Sequence, residues 1–124
     1  MAEKSVAEKA HVKPGAKIAV VNRVPGIVDS LGLPEGVTFV DPAEADLVFV
    51  FVRSQAELEQ HMPPVAEALG SATLWVFYPK GSKAAGHDVS RDTIWALAES
   101  LGLKPVGLVS VDEVWSMFRL RRAG

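Results

Sequence analysis

Cations and helix starts cluster at the ends of apolar runs in this sequence. Arg53, Lys80 and Lys83 follow such runs closely, Arg23 follows another, and Ser54 and Ser90 stand where helices should open. Positive side chains beside helix N-termini are what holds a phosphate or a carboxylate, because unpaired N–H groups and the helix dipole add to the side-chain charge. Arg53, Ser54, Lys80, Ser90 and Asp112 are accordingly the candidate ligand-binding residues. An ordinary explanation competes with this one. Loop ends are polar in any α/β protein, and Ser54 and Ser90 are accounted for as caps. "SQAE", residues 54–57, reads as a capping box in which Glu57 reaches back to the cap.

Several chemistries fail on their required residues. "KGSK", residues 80–83, has no upstream glycine at the spacing of a nucleotide-triphosphate loop. Asp41 lies 19 residues after Asn22, near the distance at which dinucleotide folds place an acid for ribose, yet "VNRVPG" supplies only Gly26. Asp41 is therefore read as an Asx-turn or loop acid. Neither a G-x-S-x-G elbow nor a carboxylate pair at helical spacing is present. A phospho-receiver needs acids where this chain has Asn22 and Arg53. There is no cysteine, which removes thiolate chemistry and disulfides, and His11, His61 and His87 are 50 and 26 residues apart. No catalytic residue, metal or cofactor is assigned on these grounds.

The elements that must position the candidates follow from apolar periodicity. Residues 1–15 read as a loose N-terminal arm ending in the turn "KPG", and 16–122 as one α/β domain. Strands are expected at 17–22, 37–40, 46–52 and 73–78, all with nearly continuous apolar runs, as in a sheet covered on both faces. A short helix is expected from Pro25 to Gly32. A longer one runs from Ser54 along the face Leu58, Met62, Val65 and Leu69, where Pro63-Pro64 must kink or restart it. A third starts at Ser90 with Ile94, Leu97, Ala98 and Leu101 on one face. Residues 104–122 fit either a strand and a helix or two strands meeting at Asp112-Glu113, and the hairpin is preferred. Trp75, Trp95 and Trp115 are read as core. The expected fold is thus a three-layer, mostly parallel Rossmann-like sheet with helices on both faces and an antiparallel last strand. In such a sheet the ligand site is the rim beyond the strands' carboxyl ends, where the topology reverses.

Composition is that of a folded domain: 48% apolar, 23% charged, net charge -2 over 124 residues. The basic residues are scattered apart from "RLRR", so no nucleic-acid partner is expected. No apolar run reaches the roughly 18 residues of a membrane span, and the first residues lack an export signal, which makes the cytoplasm the default location.

The segments "VKPGAKIAVVN", "FVRSQAELE", "LWVFYPK", "DVSRD" and "VSVDEVWSMFRLRR" together resemble a small bacterial domain family of unknown function. The resemblance covers nearly all of residues 8–122 and is specific in order and spacing. It implies no activity. It points to Arg53, Ser54, Pro79, Lys80, Asp88, Asp92, Asp112, Trp115 and Ser116, whereas "NRVPGI" and the Lys83–His87 loop depart from the family pattern. Its strand order is similar to part of a Rossmann-like methyltransferase without the glycine loop. The resulting expectation is a non-catalytic binding or regulatory module taking a small anionic ligand or an acidic partner at the carboxyl rim. A degenerate methyltransferase-like or nucleotide-binding domain is the first alternative, and a homodimerising interaction domain the second.

Overall fold

Leu47 to Phe51 contains only apolar side chains, all of them buried, and a strand with both faces covered belongs in the middle of a sheet. The computed structural model describes residues 12–22, 32–33, 35–69, 72–79, 89–111 and 115–122. They form six strands: β1 (Lys17–Val21), β2 (Thr38–Phe39), β3 (Leu47–Phe51), β4 (Thr73–Pro79), β5 (Leu103–Ser110) and β6 (Trp115–Arg122). The α-helices described are α1 (Gln55–Ala68) and α2 (Arg91–Ser100), and a short 3-10 helix spans Pro42–Glu44. Residues 1–11 of the expected arm, and most of the helix expected after β1, lie outside the described residues.

The strands form one sheet in the order β2-β1-β3-β4-β6-β5. The first four are mutually parallel, with Ile18 opposite Leu47 and Leu47 opposite Thr73. β6 then runs antiparallel to both β4 and β5, so the preferred hairpin is present and the helix alternative for residues 115–122 is not. Two β-rich runs with a short connection satisfy their backbone groups in a ladder that a lone C-terminal helix would leave open at β4. A bulge between Pro105 and Gly107 interrupts the outer ladder.

Strand alternation separates two cores. On one face Val48, Val50, Leu74, Val76, Phe118 and Leu120 meet Leu58, Met62, Val65 and Leu69 of the α1 segment and Ile94 and Ala98 of α2. The other face collects Phe49, Phe51, Trp75, Phe77 and Met117, with Val12, Ala16, Leu33 and Val37 against it. Both described helices pack on the first face, while the helix expected for the second lies outside the described residues. Phe51 stacks on Phe77 at 4.5 Å and Phe49 meets Phe77 edge-on at 5.3 Å. Each such buried side chain contributes roughly 1.5–3 kcal/mol.

Helix α1 runs through Pro63 and Pro64 without a restart. Two amide donors are missing there, and the carbonyls that lose them belong to Glu59 and Gln60, both exposed residues that water can serve. The turn before β1 has its own chemistry. Ala16 N–H donates to the Lys13 carbonyl at 3.1 Å around Pro14-Gly15, and Gly15 has φ 81°, as the third position of a type II turn requires. Trp75 is core at 1% exposure, but Trp95 is 44% exposed, against the expectation for it. Only its edge is held, by Phe118 at 6.2 Å, because α2 ends its apolar stripe one step away on Ile94 and Ala98.

Candidate functional site

The sheet order places the reversal point between β1 and β3, since the chain leaves β1 towards β2 and returns on its other side. At the carboxyl ends of these two strands stand Asn22 and Arg53. Asn22 has φ 56°, a left-handed conformation that asparagine tolerates better than other side chains. Its Nδ2 donates to the Phe51 carbonyl at 2.7 Å, so the amide bridges the two strand ends at the point where a ligand crevice would open. Sequence reading had treated Asn22 only as a missing acid. The signal for its structural role was its position: a strand-ending Asn at the first reversal.

Arg53 is 59% exposed at its side chain and sits immediately before the α1 cap. Its guanidinium lies 3.9 Å from Glu57, a pairing worth no more than about 1 kcal/mol at such exposure. Ser54 Oγ accepts from the Glu57 N–H at 3.2 Å, so the hydroxyl is engaged as an N-cap. The return contact differs from the expected box. Glu57 Oε1 accepts from Arg53 N–H at 2.7 Å, one residue before the cap, which ties the Arg53 backbone to the first turn of α1. At α2 the reciprocal box is complete: Ser90 Oγ accepts from Thr93 N–H at 3.4 Å, and Thr93 Oγ1 accepts from Ser90 N–H at 2.9 Å. Lys80 and Asp112 lie outside the described residues. Asp41 occupies the N-cap of the 3-10 helix without a side-chain cap hydrogen bond, so the Asx-turn expected of it does not form.

A further polar pair stands at the carboxyl end of β4. Tyr78 and Ser116 are partners across β4 and β6, both buried, and their hydroxyls share a hydrogen bond. Burial pushes the Tyr78 hydroxyl above its ordinary value of 10.0, opposed by the nearby Arg91 charge and the Ser116 hydrogen bond and reinforced by Asp92. Tyr78 was read from sequence as the end of an apolar run, and periodicity carries no sign of a hydroxyl partner forty residues away. Among the described residues no group of three or more His, Cys, Asp or Glu side chains is placed to hold a metal ion, and no helix is long and apolar enough to cross a membrane.

The parallel sheet, the reversal at β1 and β3 and the antiparallel final hairpin recur in solved structures. The fold is Rossmann-like. A SAM-dependent methyltransferase from Aquifex aeolicus superposes with TM-score 0.62 at 12% identity, covering 93% of this chain and 86% of that one. The O-methyltransferase NcsB1 of neocarzinostatin biosynthesis, in complex with S-adenosylmethionine, gives 0.63 at 14% identity over 87% of this chain and 49% of its own. Magnesium protoporphyrin IX methyltransferase from Synechocystis PCC 6803, with bound SAH, gives 0.58 at 10% identity over 94% and 78%. Four matched structures are longer, and the chain spans 49% to 65% of their length. No family model matches the sequence, and no curated protein matches it. At these identities the Rossmann-like likeness concerns the fold alone.

Proposed function

We propose that this Rossmann-like chain is a binding module, without group-transfer chemistry of its own, that takes a small anionic ligand or an acidic partner segment at the carboxyl rim of its parallel strands. The observation that supports it is Arg53: an exposed guanidinium at the β1–β3 reversal, next to the N-terminus of α1 and held there through its own backbone by Glu57. The dipole and the charge act in the same direction at that point. Ser54 and Ser90 support the site by capping the helices that face the rim, and Lys80 and Asp112 are its proposed flanking contacts. The absence of catalysis is inferred from Asn22. Its side chain ties the strand ends together where a cofactor fold brings bare glycine backbone up to a pyrophosphate.

A second reading has its own support. The superposed structures described above are methyltransferases, two of them with S-adenosyl compounds bound, which favours a degenerate methyltransferase-like domain that keeps an adenosyl ligand. Calorimetric titration of the full chain separates the two. S-adenosylmethionine, S-adenosylhomocysteine, AMP and inorganic phosphate are titrated into the wild type and Arg53→Ala. Binding of AMP or phosphate that is lost in Arg53→Ala supports the anion module. Heat from the S-adenosyl compounds alone replaces it with the second reading, and no heat from any of the four rejects both.

A further inference from the structure

We propose that the open cleft at the opposite end of the sheet, at the amino ends of β1, β3 and β4, is a separate binding site for a small oxyanion, a carboxylate or a phosphate, held by Arg119 and Lys13. The cleft measures about 410 Å³ and is lined by Lys13, Gly15 and Ala16 of the first turn, by Asp46 and Thr73, and by Arg119 from β6. That volume lies at the lower end of small-molecule pockets. It shares no residue with the carboxyl rim.

The state of Arg119 carries the inference. Its guanidinium carbon stands 5.8 Å from the centre of the Trp75 ring, its partner across β4 and β6. On the other side its partner across β5 and β6 is Gly107, where an added Cβ would meet nothing within 4 Å, so no side chain of β5 screens the guanidinium. Arg119 Nε is buried with no hydrogen-bond partner, and the Trp75 indole N–H beneath is in the same condition. A buried donor without an acceptor costs roughly 1–3 kcal/mol, and a carboxylate or phosphate oxygen in the cleft would remove that cost.

The surrounding charge has the matching sign. Asp46 is the one acidic lining residue, and its Oδ2 already accepts from the Lys17 N–H at 3.1 Å. Lys13 is exposed and forms no ion pair among the described residues. Lys104 and Arg121 oppose each other directly across β5 and β6, two residues from Arg119 on the same face, and both are exposed. Like charges in that position repel, and an anion beside them relieves the repulsion. Thr73 adds a hydroxyl that donates or accepts.

Thermal unfolding and NMR of the full chain in a buffer free of oxyanions, titrated with inorganic phosphate and, separately, with succinate, test the site. The expected result is a saturable rise in Tm with one of them, accompanied by movement of the Trp75 indole cross-peak, and the responding probe names the chemistry. Arg119→Gln abolishes the response, and Lys13→Ala weakens it about tenfold, as loss of one charge-assisted contact would. Lys13 is exposed, so that variant decides the matter should Arg119→Gln fail to fold. A response retained in both variants overturns the proposal, as does the lack of a saturable response to either probe. A response lost in Arg53→Ala but kept in Lys13→Ala also overturns it, and places the anion at the carboxyl rim instead.

Discussion

Asn22 does two things that no other side chain combines as cheaply: it accepts φ 56° and it donates to Phe51 across the sheet. Replacing it with alanine forfeits the hydrogen bond and adds left-handed strain, each about 1 kcal/mol, for a loss near 2 kcal/mol. Glycine forfeits only the bond. Urea unfolding should therefore rank Asn22 above Gly and Gly above Ala, and an alanine variant as stable as the glycine variant would mean the left-handed turn is not held in solution. Tyr78, the one tyrosine of the chain, gives a pH prediction. Its folded value is raised above 10.0, so the hydroxyl is neutral in both states below that pH and contributes fully there. Above about 10 the unfolded chain releases the proton first, and stability falls by up to ~1.4 kcal/mol per pH unit until the buried group also ionises. Tyr78→Phe should lose about 1 kcal/mol at neutral pH through the unpaired Ser116, and its stability should then decline less than that of the wild type between pH 9 and 11.

At the scale of elements, α1 carries a built-in weakness and a compensating anchor. Pro64 is exposed, removes a donor to Gln60 and sits in a helix interior, where proline is about 3 kcal/mol worse than alanine. Part of that is returned by the stiffness proline gives the unfolded chain, roughly 1 kcal/mol. Pro64→Ala should accordingly raise the denaturation midpoint, by the equivalent of 1 to 2 kcal/mol, and an unchanged midpoint would show that the helix already accommodates the missing bond. The anchor is at the other end. Arg122 Nη2 donates to the Ala66 carbonyl at 2.6 Å, so a residue of the basic tail, read from sequence as a solvated edge, closes the last turn of α1.

For the molecule as a whole, the exposed strand edge decides how it behaves among its own copies. β5 carries Val106 at 43% and Leu108 at 46% exposure, beside Trp95, and together with Pro105 and Phe118 they line a groove of about 240 Å³. Such an edge invites pairing, but it also holds Pro105, Gly107, a bulge and Lys104, the devices that prevent it. Pro105→Thr restores a backbone donor in that strand, and light scattering at high concentration should then report a larger mass than for the wild type. An equal mass would assign the protection to the bulge and the charge.

Strand identity, the starts of α1 and α2 at Ser54 and Ser90, and the Leu58–Leu69 face were all legible in the sequence, because caps and apolar periodicity are local: the residues that decide them are within a few positions of one another. The antiparallel hairpin was legible only as one of two options, since a run such as Val111, Val114, Trp115 and Phe118 satisfies both periods until a neighbouring strand supplies its ladder. What tertiary structure alone decided are the contacts between residues far apart in the chain. Asn22 reaches Phe51, Tyr78 meets Ser116, Arg122 finds Ala66, and Arg119 lies over Trp75 with Lys13 across the cleft. Each depends on strand order and register, which place a side chain on one face of the sheet and beside a particular neighbour. Local patterning determines which segments become strands, but the order in which they assemble determines what their polar residues meet.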